Sequence, residues 1–172
     1  MFRVLKGWPT GIGGAHEDNV TLSATELAKV TFEGCAIAVD GGGSWKVATA
    51  AAVVIAKQTA TPAAANMVGA SVCFALDKYM TSAGTGAYDV AYTGKVPVLK
   101  GDFIAEIDTD VCATLPTVGA FLELTGTSGL LAVAGAAVDT LVVAICEETY
   151  SDESGTAVAK CRFFTPQYIT IA

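Results

Sequence analysis

The chain has 172 residues, 52% of them hydrophobic and only 16% charged, with a formal net charge of −7. That length suits one domain, expected to bury about 70% of the surface its unfolded chain exposes, and the charge is low beside the roughly 25% of ordinary soluble domains. No nucleic acid is expected as a partner, because residues 58–172 carry five basic against twelve acidic side chains and phosphate binding needs a basic stripe; no membrane is expected either, because Asp139 interrupts the longest apolar run, 130–146, and a spanning helix needs about 20 apolar residues.

Residues 1–19, MFRVLKGWPTGIGGAHEDN, hold four glycines and a proline and sustain neither helix nor strand periodicity, so they read as an extended N-terminal arm. An arm with two cations and two aromatics can dock on a partner with little structure of its own, which makes Phe2, Arg3, Lys6 and Trp8 the candidate partner contacts. The competing reading has Trp8 packing back on its own body. No leader is read in the first residues, because Met1–Lys6 runs into Gly7-Trp8-Pro9 and not into an apolar core.

Residues 20–172 read as a single β-rich domain, with a lobe boundary available at the linker-like TSAGTGA, 81–87. Ser23-Ala24-Thr25-Glu26 matches a capping box and predicts a short helix to Lys29, and Thr61-Pro62 can open a second one. Strand formers over 30–39, the turn cluster Asp40–Ser44 and the apolar run 45–56 predict a hairpin. A buried strand is expected over 67–76, and further strands over 88–93, 96–99, 103–111, 121–124, 130–134, 141–148 and 158–165, with an edge strand over 168–171. Glycines punctuate them at the cadence of an all-β antiparallel sandwich or barrel.

Candidate chemistry is sparse. His16 is the only histidine; it stands beside Glu17 and Asp18, which cannot all face one ion from an extended chain. A Ser-His-Asp or Cys-His arrangement would have to use that same residue, and no G-x-S-x-G elbow occurs. AVDGGGSWK lacks the phosphate-loop spacings and leads into a strand. The five cysteines, Cys35, Cys73, Cys112, Cys146 and Cys161, sit in apolar stretches and read as reduced core thiols, with a bond from Cys112 to Cys146 or Cys161 across a sheet as the alternative.

The segment TGKVPVLKGDFIAEIDTD, 93–110, reads as a hairpin pinned by Gly94 and Gly101. Period two puts Phe103, Ala105, Ile107 and Val111 on a buried face and Glu106, Asp108 and Asp110 on the other. Those acids face solvent, or a basic strand or subunit; as a calcium loop they fail, because the third ligand position falls on Cys112 and the required glycine is absent. Catalysis by carboxylates alone would need Glu106 and another acid in one pocket. No catalytic, cofactor or metal residue is assigned, and the protein is not expected to be an enzyme.

The succession YDVAYTGKVPVLKGDFIAEIDTDV, a turn over 116–119, FLELTG, GLLAVAG and LVVAICEE resembles the head decoration, or cement, proteins of tailed bacteriophages, over roughly residues 74–150. The resemblance implies a β-rich, non-enzymatic protein, made in the host cytoplasm. On the virion it would dock on the capsid exterior, contacting the major capsid protein and its own copies as a trimer or dimer. The cysteine count and the alanine-rich stretch 48–70 depart from the family pattern. The alternative is a carbohydrate- or receptor-binding β-module with an aromatic platform at Trp45 or at Tyr88 and Tyr92.

Overall fold

The computed structural model describes residues 1–7, 16–40, 42–48, 53–54, 67–68, 72–76, 95–125, 129–135 and 140–169. In chain order these form β1 (Phe2–Gly7), β2 (His16–Thr21), α1 (Ala24–Leu27), β3 (Ala36–Val39), β4 (Trp45–Val47), β5 (Val53–Val54), β6 (Met67–Val68), β7 (Cys73–Ala75), β8 (Lys95–Lys100), β9 (Phe103–Ile107), β10 (Phe121–Leu124), β11 (Leu131–Val133), β12 (Thr140–Ser151) and β13 (Ala157–Ile169). Two antiparallel sheets make a β-sandwich. One has six strands in the order β1-β9-β13-β12-β10-β11, the other five in the order β2-β8-β7-β3-β4, and β5 and β6 form a separate parallel pair.

Period-two alternation decides which side chains fill the space between the sheets. Phe103, Ala105 and Ile107 of β9 and Ala159, Cys161 and Phe163 of β13 point inward and meet Phe74 of β7, Leu99 of β8 and Ala36 and Ala38 of β3. Four phenylalanines form its centre: Phe103 stacks on Phe163 with centroids 4.7 Å apart, and Phe74 meets Phe163 edge-on at 4.8 Å. Phe2 completes the group, edge-on to Phe163 at 5.6 Å. Such pairs add about 0.5–1.5 kcal/mol each to the burial of their area.

The five-stranded sheet is buried on its second face as well. Val20, Ile37, Cys73, Val96 and Val98 pack there under Leu27 of α1 and Val30 behind it. Ser23 caps α1 by accepting the Glu26 amide at 3.3 Å, but the glutamate does not return to the cap as a full capping box would. Its Oε2 instead accepts the Val47 amide at 3.0 Å, and its Oε1 binds Lys29. The helix is thereby fastened to β4, across the sheet it covers.

Three expectations are corrected. Segment 95–107 is not a hairpin: β8 pairs with β2 and β7, while β9 pairs with β1 and β13. Gly101, at φ +91°, turns the chain from one sheet to the other, a backbone region where L side chains are strained. Residues 2–7 of the arm are extended, but as an edge strand in register with β9, with a bulge between Val4 and Lys6. Residues 168–169 do not add an edge; they continue β13 and pair with Thr140 and Leu141. The β3–β4 hairpin is found as expected, with Val39 opposite Trp45. The expected strand 88–93, the boundary at 81–87 and the second helix after Thr61 lie outside the described residues.

Candidate functional site

The outer face of the six-stranded sheet gathers the polar chemistry that the sequence scatters. Cross-strand register places Arg3 of β1 opposite Glu106 of β9, Glu106 opposite Lys160 of β13, and Lys160 opposite Glu148 of β12. Charge therefore alternates in sign across four neighbouring strands. Opposite charges directly across a sheet are favourable and like charges are not, by about 0.2–1 kcal/mol per pair, so the row opposes any slip of these strands against one another.

Glu106 is the centre of this row and is 2% exposed. Arg3 donates to its Oε2 from Nε at 2.5 Å and also from Nη2, and the Tyr150 hydroxyl donates to Oε1. Both carboxylate oxygens are thus engaged, as a buried charge requires. That hydrogen bond to Glu106, more than burial, raises the Tyr150 phenol above its usual pKa. Lys160 binds Glu148 at 3.3 Å and Arg162 binds Glu147 at 2.6 Å on the same face.

Beside Glu106 lies a recess of about 540 Å³ lined by Arg3, Tyr150, Ser151, Asp152, Glu153 and Ser154. Glu106 and Asp152 do share it, which is the condition set for carboxylate catalysis. Asp152, however, is engaged within its own turn, accepting from the Ser154 and Thr156 amides at 2.9 and 2.8 Å and from the Ser154 hydroxyl at 2.7 Å. Those bonds, the Ser154 hydroxyl first, hold its carboxyl below the usual range, the reverse of what a proton-donating acid needs.

The other acids of 93–110 part company with Glu106. Asp108 Oδ1 lies 2.5 Å from the Met1 ammonium and accepts the Asp110 amide at 2.9 Å, while Asp110 is exposed. The expectation of a common solvent face is corrected at Glu106, whose cation is intramolecular and comes from β1. Among the described residues no group of three His, Cys, Asp or Glu side chains is arranged to hold a metal ion.

The candidate partner contacts divide. Phe2 is core, 6% exposed, which corrects its assignment as a docking residue. Arg3 is exposed along its length but bound to Glu106. Lys6 lies in β1 opposite Ile104 by its backbone, and Trp8 lies outside the described residues. Val4 and Leu5 of the same strand, which sequence reasoning passed over, are exposed. Trp45 is half-buried against the core under α1, so it offers no open platform; Tyr88 and Tyr92 lie outside the described residues. Tyr150, Lys160 and Glu148 were also missed, although opposite charges on the outward positions of the last two strands were a usable signal.

Compared with family models, with curated proteins and with solved structures, the chain matches none.

Proposed function

We propose that this β-sandwich is a structural subunit that binds the outer surface of a tailed-bacteriophage capsid and stiffens it, in contact with the major capsid protein and with its own copies. The observation that carries the reading is the state of β1: among the described residues it is an edge strand of the six-stranded sheet, with Val4 and Leu5 exposed, next to a face on which Arg3 binds Glu106 and Lys160 binds Glu148. Edge strands offer unpaired backbone groups to another chain, and a shell binds many copies through repeated modest contacts. The ionic groups around Glu106 hold strands in place, as a load-sharing subunit needs. The resemblance of 74–150 to decoration proteins points the same way.

Co-sedimentation with intact particles tests this. The protein is expected to pellet with capsids to a fixed copy number and to stay soluble without them. Val4→Lys with Leu5→Lys is expected to lower occupancy at least tenfold while leaving the melting curve in place. Failure of the unaltered protein to pellet with particles at any concentration would refute the reading.

A further inference from the structure

Three of the five cysteines converge in the core where β12 and β13 meet the loop after β9. Cys146 and Cys161 are direct cross-strand partners. Cys146 donates its amide to Ala120 at 2.9 Å and accepts the Gly119 amide on its carbonyl at 2.8 Å, so both of its backbone groups turn toward β10 and away from β13. Facing β13 it therefore belongs to the closely spaced, non-hydrogen-bonded kind of antiparallel pair, whose Cα atoms sit about 4.5 Å apart. A disulfide needs Cα atoms about 4.4–6.8 Å apart with side chains on one face. Both side chains point into the same core, where the Cys146 thiol lies 3.8 Å from the Pro116 carbonyl and 3.5 Å from the Glu148 carbonyl. Cys112 turns its thiol to the Thr114 carbonyl at 3.0 Å and is not in register with either of them.

We infer that Cys146 and Cys161 are a latent disulfide site, reduced in this structure and closed by thiol–disulfide exchange when a small-molecule disulfide gains access. The exchange balances in two steps. One cysteine loses its proton and its thiolate attacks the external disulfide, forming a mixed disulfide and releasing one thiol. The second cysteine, also deprotonated, attacks the protein sulfur of that mixed disulfide and releases the second thiol. The two protein protons end on the two released thiols, the protein is oxidised by two electrons, and the external disulfide is reduced. Burial raises the pKa of both groups, which keeps exchange slow until the hairpin opens.

The bond would close the β12–β13 hairpin into a loop of about 15 residues and remove that freedom from the unfolded chain. It locks strand register at the point where β12 carries a bulge, between Cys146 and Glu148. The inference is independent of the capsid reading, and its test requires no particles.

The test incubates the whole chain with glutathione disulfide at mildly alkaline pH, a few degrees below its melting temperature, followed by non-reducing peptide mapping. The expected product is a single intramolecular link between the Cys146 and Cys161 peptides, with two glutathione thiols released per chain and Tm raised by about 6–10 °C. Cys112→Ser is expected to form the same link, which separates the pair from its neighbour. A link involving Cys112, a product that stops at glutathione adducts, a lowered Tm, or persistence of all free thiols would overturn the inference.

Discussion

On the outer face of the five-stranded sheet, Val20, Ile37, Val96 and Val98 are sealed under Leu27 and Val30, whereas the outer face of the six-stranded sheet carries the row Arg3, Glu106, Lys160 and Glu148. The same period of two produces both. Where a second layer covers the strands, alternation in polarity disappears, and β7 is buried at every position. Where no second layer is found among the described residues, the outward positions Arg3, Glu106, Lys160 and Glu148 carry charges in cross-strand register. Low overall charge thus has a cause inside the chain, since one sheet is covered on both faces by the chain's own residues.

Three perturbations test how far the two sheets differ. Phe163→Ala removes a ring that both sheets share and is expected to cost about 3–5 kcal/mol. Urea unfolding followed at probes in each sheet should then show one transition shifted as a whole; separate transitions would mean that the sheets are independent. Glu106→Gln acts on one face only, leaves Tyr150 an acceptor, and is expected to cost about 1–2 kcal/mol, because Arg3 is solvent-screened. A double-mutant cycle with Arg3→Ala should return a coupling of about 1 kcal/mol, and zero coupling would show that the charge row adds nothing.

The smallest effect is expected at the β3–β4 turn of the five-stranded sheet, where Asp40 Oδ2 binds Lys46 at 2.6 Å and Oδ1 accepts the Gly42 and Ser44 amides at 3.0 and 2.8 Å. The Lys46 hydrogen bond first, then the Ser44 amide, holds the Asp40 carboxyl below its usual range, and the same pair raises Lys46. A depressed carboxyl stabilises the fold above its unfolded value of about 3.9 and loses that contribution as pH falls through the folded value; a raised lysine contributes fully below about 10.4 and loses it as pH rises through its own folded value. Protection of the Gly42 and Ser44 amides, taken relative to their intrinsic exchange rates at each pH, should therefore be highest between these limits and fall on both sides. Asp40→Asn should abolish the acid limb, and an unchanged limb would assign it elsewhere.

The sequence discloses what is local. The turn at Asp40–Ser44, the cap at Ser23 and the strands 121–124 and 130–134 follow from residue types a few positions apart. The alternation in 103–107 identifies Phe103, Ala105 and Ile107 as core, as found. What it does not disclose depends on residues far apart in the chain. Glu106 looks solvent-facing until Arg3, 103 positions earlier, is laid beside it by β1. Phe2 looks free in a glycine-rich segment until the space between the sheets closes around it. Gly34, at φ +86°, shows how tightly: a Cβ there would lie 2.6 Å from the Phe2 ring. Gly101 looked like a hairpin residue because a turn between sheets and a turn within one use the same chemistry.

The position of β13 within its sheet has a consequence in time. In the order β1-β9-β13-β12-β10-β11 it lies near the middle, yet residues 157–169 leave the ribosome after every other strand of that sheet. Until they emerge, β9 has no neighbour on one side and β12 none on one of its edges, so the nascent chain holds one unpaired strand edge from residue 107 onward and a second from residue 151. Pairings this distant in sequence form slowly, and unpaired edges invite association with other chains. A ribosome stalled before residue 157 should therefore carry an aggregation-prone half-sheet, and the six-stranded sheet closes only when the last strand slots into the gap left for it.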